Sequence, residues 1–156
     1  MNNKILKVSE NLDNFSIKIE IGKIFVEIYF MNINKKCDIF VNKNITYNFI
    51  NIWNGVDVKY TKSRKSIKEI ITLNNQKSSH VLKFLIKTNY NIKMTGNKLS
   101  IDDENNKLFD FKSMRILDSD SREVKDGIST SFDKKNGIFE IRIKHLDEKQ
   151  YPLTIS

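Results

Sequence analysis

Two neighbouring runs with a strict two-residue alternation constrain the fold of this chain more than any other feature. In the run "FSIKIEI" (residues 15–21) every second residue is apolar, and the run "IFVEIYF" (residues 24–30) repeats the pattern after Gly22-Lys23. A period of two places alternate side chains on opposite faces of a strand, and glycine accepts the backbone of a tight turn. The two runs therefore predict an antiparallel β-hairpin.

Short apolar runs separated by turn residues continue to the end of the chain, with Asn54-Gly55 and Asn136-Gly137 among the breaks. Many short strands at this spacing predict an all-β fold, an antiparallel β-sandwich or stacked meanders with about 10–12 short strands and little or no helix. The further expected strands are roughly Asp38–Val41, Thr46–Ile52, Val56–Tyr60, Ile67–Leu73, Val81–Thr88, Asn91–Met94, Lys98–Ile101, Lys107–Phe111, Ile128–Phe132, Ile138–His145 and Tyr151–Ile155.

The composition supports the same fold class. The chain contains no alanine, and its apolar residues are mainly Ile, Phe, Val, Leu and Tyr, most of which favour half-buried pleated surfaces. Its 156 residues fit one domain with a sizeable core. No Pro/Gly/Ser-rich linker divides the sequence, so we expect a single β-rich domain over residues 1–156, with an N-terminal hairpin region at 1–44.

The segment from Ile52 to Leu73 is the strongest candidate for a binding site. The chain has a net charge of +8, and this segment carries five cations in succession without an acid, beside Trp53 and Tyr60. Lysines that contact phosphate and aromatic rings that stack on bases are typical of nucleic-acid binding. The alternative is a solvated Lys-rich hairpin that blocks edge-to-edge association. The candidate polyanion-binding residues are Lys59, Tyr60, Lys62, Arg64, Lys65 and Lys68.

The sequence offers little for catalysis or for a cofactor. Cys37 is the single cysteine, which excludes an intrachain disulfide, and one cysteine with two histidines is too few for a zinc site. His80 and His145 are expected at the surface or at strand ends. The acidic stretch from Asp118 to Gly127 begins like a calcium loop but has Arg122 at the fifth position, so it is interpreted as an ordinary loop. We expect no enzyme activity and no cofactor.

The N-terminus has no apolar stretch typical of a signal peptide, and no apolar run is long enough to span a membrane. The expectation is therefore no membrane insertion. As written, the chain is expected in the cytoplasm; as part of a larger exported protein, it is expected outside the cell or in an assembly.

Residues 45–156 resemble a β-rich module of bacterial wall-associated and YD-repeat (Rhs-like) proteins and of β-propeller-repeat surface proteins. The resemblance is carried by "NIWNGVDVKY" (51–60), by Lys68-Glu69, by "GNKLSI" (96–101) and by the closing "QYPLTIS" (150–156). Ser156 stands where the pattern has an aspartate. The residues that match the two end motifs best are Gly55, Asp57, Tyr60, Lys68, Glu69, Tyr151 and Pro152.

The resemblance implies a non-catalytic scaffold, with structural roles for its motif residues. Asn54-Gly55 is expected to form a tight turn, Val56 and Val58 to face the core, and Asp57 to bind backbone donors at the turn. Lys68 and Glu69 are expected to form a cross-strand pair. The predicted function is a structural or interaction domain of a bacterial surface, toxin or phage-like assembly, with a protein partner or self-assembly. The alternative is a module that binds nucleic acid or another polyanion.

Overall fold

The structure is a computed structural model that describes residues 6–11, 15–43, 45–63, 67–95, 98–103, 106–111 and 114–156. Within these ranges the only helix is one 3₁₀ turn, Glu148–Gln150. The strands are β1 (Leu6–Asn11), β2 (Ser16–Ile21), β3 (Ile24–Phe30), β4 (Asp38–Asn42), β5 (Thr46–Trp53), β6 (Val56–Lys62), β7 (Ile67–Leu73), β8 (Val81–Thr88), β9 (Asn91–Thr95), β10 (Lys98–Asp103), β11 (Asn106–Phe111), β12 (Ile116–Leu117), β13 (Ile128–Asp133), β14 (Ile138–Ile143) and β15 (Leu153–Ile155).

The strands form two six-stranded sheets and one small sheet. The first sheet has the order β1-β2-β3-β8-β14-β13, and the second has the order β12-β15-β7-β6-β5-β4. The small sheet has the order β11-β10-β9. Each pairing between these strands is antiparallel. The all-β prediction is thus confirmed, and β4 forms one edge of the second sheet.

The two large sheets face each other across a shared apolar core. Strand β3 buries every second residue, as its sequence alternation predicts. The ring of Phe30 on β3 lies 4.8 Å from that of Phe49 on β5, and Trp53 lies 5.2 Å from Phe84 on β8. Offset and edge-to-face aromatic contacts of this kind add to the stabilisation from burial. The fold is therefore a β-sandwich whose core contains aromatic rings from both sheets.

The differences from the predicted strands lie mainly near the ends of the chain. Leu6–Asn11 and Ile116–Leu117 form strands that the sequence pattern did not indicate. The second of these has only two residues, too few to show a period, and it forms by pairing with β15. Strand β14 ends at Ile143, before His145, and β15 begins only after a cis peptide bond at Tyr151-Pro152.

Candidate interaction surface

The turn between β5 and β6 is held by side chains of the "NIWNGVDV" motif. The backbone N–H of Gly55 donates to Oδ1 of Asn51 (2.8 Å), and the N–H of Asn51 donates to Oδ1 of Asp57 (2.7 Å). The other carboxylate oxygen of Asp57 accepts from Nδ2 of Asn74 at 3.2 Å. Val56 and Val58, on either side of Asp57 in β6, are buried in the apolar core. The predicted tight turn, the core positions of the valines and the backbone-binding role of Asp57 are all present.

Gly55 is also clamped against the loop that connects β7 to β8. Its φ angle is +67°, and a Cβ at this position would overlap the hydroxyl of Ser78. The Ser78 hydroxyl donates to the carbonyl of Gly55 at 2.9 Å, and the N–H of Asn74 donates to the same carbonyl at 2.9 Å. Only glycine combines a positive φ with such a close approach at little cost. The hairpin tip is therefore fixed to the neighbouring loop.

A chain of hydrogen bonds extends from this clamp to the second end motif. Nδ1 of His80 lies 2.6 Å from the carbonyl of Ser78, and Nε2 lies 2.7 Å from the hydroxyl of Tyr151. Because a carbonyl only accepts, Nδ1 carries the proton and Nε2 accepts from Tyr151. The N–H of Leu146 donates to that same hydroxyl at 3.3 Å. Gly55 and Tyr151, which belong to opposite ends of the family-like pattern, are thus connected through Ser78 and His80.

His80 lies at a strand end, directly before β8, which is one of the two expected positions, but it is buried and not at the surface. His80 is only 7% exposed, and its ring stacks on that of the exposed His145 with centroids 3.7 Å apart. Burial lowers the pKa of His80, the Ser78 carbonyl opposes this shift, and the proximity of His145 adds to it. A buried neutral histidine with both ring nitrogens engaged stabilises the fold, and nothing about it indicates a free base.

Tyr60 and Glu69 are cross-strand neighbours on the core-facing side of the second sheet, where Tyr60 is buried and Glu69 is half-buried. Tyr60 on β6 pairs with Glu69 on β7, and the Tyr60 side chain is 1% exposed. Glu69 lines a small cavity of about 20 Å³ beside Ile28 and Leu99. Burial raises the pKa of Glu69, and the nearby Tyr60 hydroxyl partly offsets this rise. The Tyr60 hydroxyl is buried near Glu69, but among the described residues no acceptor or donor meets it with hydrogen-bond geometry.

This arrangement changes two interpretations of the hairpin. Tyr60 and Trp53 lie in the core, where a nucleic-acid base cannot reach them, and Nε1 of Trp53 donates to the carbonyl of Met31 at 2.6 Å. The predicted Lys68–Glu69 cross-strand pair is wrong, because adjacent residues of a strand point to opposite faces. The cross-strand neighbour of Lys68 is Thr61.

The cations of the hairpin do not form one continuous surface among the described residues. Lys59 and Lys68 are exposed on the outer face of the second sheet. Lys62 lies three positions after Lys59 on β6, so it points to the other face, and it is half-buried. Arg64 and Lys65 lie outside the described residues. Polyanion binding by this hairpin stays a prediction, and Trp53 and Tyr60 no longer contribute to it because they lie in the core.

Two other places were candidates for ligands. Oδ1 of Asp118 accepts the N–H groups of Asp120 and Arg122, both at 2.9 Å, so this carboxylate organises its own loop. An open groove of about 490 Å³ lies at one end of the first sheet, lined in part by Phe25, Tyr90, Lys134 and Lys135.

Within the described ranges, no three His, Cys, Asp or Glu residues are grouped to hold a metal ion. Nor do those ranges contain a helix with the length and hydropathy to span a membrane.

The edge of the second sheet has an unusual concentration of exposed apolar side chains. Phe40 is 59% exposed, Val41 39%, Ile45 50% and Ile50 36%, and all four lie on β4, on β5 or in the turn between them. We call this set the β4 edge. Strand β4 pairs with β5 on one side only, which leaves half of its backbone groups unpaired by strands that the structure describes. Val81, at 40%, is the one other exposed large apolar residue among the described side chains.

Comparison with protein-family models, with curated proteins and with solved structures yields no match to this chain. The resemblance to bacterial wall-associated, YD-repeat and propeller-repeat surface proteins therefore stays a prediction. What the structure adds is a physical role for its motif residues. Gly55, Asp57 and Tyr151 hold turns and loops together, and Tyr60 and Glu69 pack inside the sandwich.

The β4 edge was not recognised in the sequence. Its signal was weak because Asp38–Val41 is indistinguishable from an interior strand until the order of the sheet is known. A single apolar residue at the surface is common, whereas several exposed apolar side chains grouped at an edge strand are typical of an interaction site. Among the described residues, this edge is the best-supported candidate for a functional surface.

Proposed function

We propose that this chain is a non-catalytic structural or interaction domain, part of a bacterial surface, toxin or phage-like assembly, and that it binds a protein partner through the β4 edge. The observation that carries the proposal is the grouping of exposed apolar side chains on the edge strand β4, on its neighbour β5 and in the turn between them, namely Phe40, Val41, Ile45 and Ile50. Burying large apolar side chains gives about 25 cal/mol per Å² of apolar area removed from water. An interface at this edge would supply that burial.

The polar network at the other end of the second sheet supports the same proposal. Histidine is the side chain best suited to acid–base chemistry near neutral pH. Here His80 is buried, and both of its ring nitrogens make hydrogen bonds. Cys37 is half-buried, and burial raises the pKa of its thiol, which disfavours the nucleophilic thiolate. A histidine held in a hydrogen-bond network and a thiol with a raised pKa support a non-catalytic role for this chain.

Site-specific photo-cross-linking in the organism that encodes the chain tests the proposal. A photoreactive phenylalanine analogue at position 40 is expected to yield a discrete adduct with a partner protein. The adduct should disappear when Val41→Lys is added and persist with Val81→Lys, which changes a side chain of nearly equal exposure on another strand. Adducts that are equally abundant with the analogue at position 81, or unaffected by Val41→Lys, would contradict the proposed interface.

A second candidate function is binding of nucleic acid or another polyanion, and it is favoured by the exposure of Lys59 and Lys68 on one face. A mixed-sequence single-stranded oligonucleotide is expected to bind more weakly as salt rises. The double substitution Lys59→Gln with Lys68→Gln should then reduce binding more than Lys134→Gln with Lys135→Gln in the groove. Equal losses would indicate attraction to the net charge alone.

A further inference from the structure

We infer that the partner contributes an extended segment with acidic flanks, which adds to β4 as a new strand of the second sheet. The inference rests on the proposed function and specifies its mode of binding. In strand addition, main-chain hydrogen bonds align the incoming segment and alternate side chains fill the adjoining pockets. The β4 edge offers two of the features that this mode needs, an edge strand and exposed apolar side chains on it and beside it.

The two faces of β4 differ in a way that suits an alternating segment. Register with β5 places Val41 opposite the buried Tyr47, on the core side, and places Phe40 opposite Asn48, on the outer side. An added strand would therefore meet an exposed apolar side chain on each face. Its residues on the core side would cover Val41, and those on the outer side would contact Phe40. A segment with apolar residues at neighbouring positions on both faces fits this edge best.

Charge around β4 indicates the chemistry of the flanks. Residues 31–53 carry three lysines, at positions 35, 36 and 43, and a single acid, Asp38. All three lysines are exposed, and they lie before and after the strand. Lysines in the middle of an edge strand would prevent pairing. Here they flank an apolar centre, so they favour a partner with Asp or Glu at both ends of its segment.

The same charges disfavour a second copy of this chain as the occupant. In antiparallel pairing of β4 with β4, Lys35 and Lys36 of one molecule would lie near Lys43 of the other. Each chain also has a net charge of +8. Like charges placed opposite each other across strands are destabilising. An acidic segment from a different protein avoids this repulsion and gains attraction instead.

A displayed library of random peptides, about twelve residues long so that they cross β4 and both flanks, tests the inference directly. The full chain serves as bait, with Val41→Lys as the counter-selection. Enriched peptides are expected to have an alternating apolar centre and acidic flanks. Their affinity should fall roughly tenfold or more with Phe40→Lys or Val41→Lys. It should be unchanged with Val81→Lys, and raising the salt concentration should weaken it.

Hydrogen exchange separates strand addition from simple contact with side chains. An enriched peptide is expected to slow amide exchange in residues 38–42, because new main-chain hydrogen bonds form there. Thermal unfolding of each variant verifies that it is folded, and Phe40→Ser provides a milder change at the same place.

Three results would overturn the inference: no enrichment over the Val41→Lys background, enrichment of basic or helical peptides, or binding without amide protection in β4. Measurement of the molecular mass in solution could instead show dimers that depend on concentration and are lost with Val41→Lys. The occupant of the β4 edge would then be a second copy of this chain and not an acidic segment. If the cross-linking experiment identifies a partner at position 40 while the library fails, the interaction domain stands and strand addition is wrong. If both fail, the proposed function fails with it.

Discussion

The hairpin tip, where the β5–β6 turn meets neighbouring loops, and the β4 edge both involve the second sheet, but their side chains are paired to very different degrees. At the tip, which we define as Asn51, Gly55, Ser78, His80 and Tyr151, polar side chains find hydrogen-bond partners within the chain. At the β4 edge, four large apolar side chains face solvent. A region whose polar groups are hydrogen-bonded within the chain contributes to stability, whereas a region that leaves apolar area exposed is available for binding.

This contrast predicts that substitutions in the two regions separate into two groups. Changes at the tip should lower the free energy of unfolding and leave partner binding intact in the molecules that remain folded. Changes at the β4 edge should leave the free energy of unfolding nearly unchanged and weaken partner binding. The following predictions test that separation.

The largest effect is expected for Gly55→Ala. The substitution places a Cβ against the Ser78 hydroxyl and forces alanine into a φ of +67°. Overpacking and a left-handed backbone each cost about 1–3 kcal/mol, so we expect a loss of roughly 2–4 kcal/mol in chemical unfolding. Gly22→Ala is the matched control, because Gly22 has a φ of +59° but no atom within 4 Å of the added Cβ. Its loss should be about 1 kcal/mol, and equal losses would refute the clamp.

A smaller effect is expected for Tyr151→Phe, which removes the hydroxyl that links His80 to the backbone of Leu146. Leaving these buried groups unpaired costs about 1–3 kcal/mol. Tyr60→Phe provides the comparison, since the Tyr60 hydroxyl is also buried but makes no hydrogen bond within the described part of the chain. Removing it should leave the free energy of unfolding unchanged or raise it. The idea of a stabilising network fails if Tyr60→Phe is as harmful as Tyr151→Phe.

Much of this architecture can be predicted from the sequence, because alternation and turn residues identify the strands of both large sheets except β1 and β12. The same alternation placed Val56 and Val58 in the core, and extending it by two residues gives Tyr60, so its burial was predictable. The lysines beside Tyr60 favoured a nucleic-acid-binding interpretation, although the two-residue alternation favoured a core position for this side chain. Other features depend on pairing across the chain. His80 and Tyr151 are 71 positions apart, and Asp38–Asn42 becomes an edge only through the order of the second sheet.

A pH-dependent effect is expected at Glu69. Its pKa is raised by burial, so the folded chain binds the proton more tightly than the unfolded chain does. The free energy of unfolding should therefore fall as pH rises from the unfolded-state pKa, about 4.3, towards the folded-state pKa. Glu69→Gln removes this loss and should be more stable than the parent at pH 7, by on the order of 1 kcal/mol.

Urea unfolding at a series of pH values measures the difference. It should shrink towards zero as the pH falls below the unfolded-state pKa, where the parent carboxyl is protonated in both states. Glu20→Gln, on the outer face of the first sheet beside Lys18, is the exposed control and should show no such gain. An equal gain at every pH would show that charge on Glu69 is not the cause.

The smallest effect on stability is expected at the β4 edge, and it completes the comparison. Val41→Thr and Phe40→Ser remove apolar surface that is already exposed, so the free energy of unfolding should change by no more than about 0.5 kcal/mol. Binding of an enriched peptide should nevertheless be weakened with both, though less than with Phe40→Lys or Val41→Lys. Tyr151→Phe should bind that peptide like the parent at temperatures where it is folded. If edge substitutions unfold the protein, Phe40 and Val41 belong to the structural core of the second sheet, and the division between a satisfied tip and an available edge is wrong.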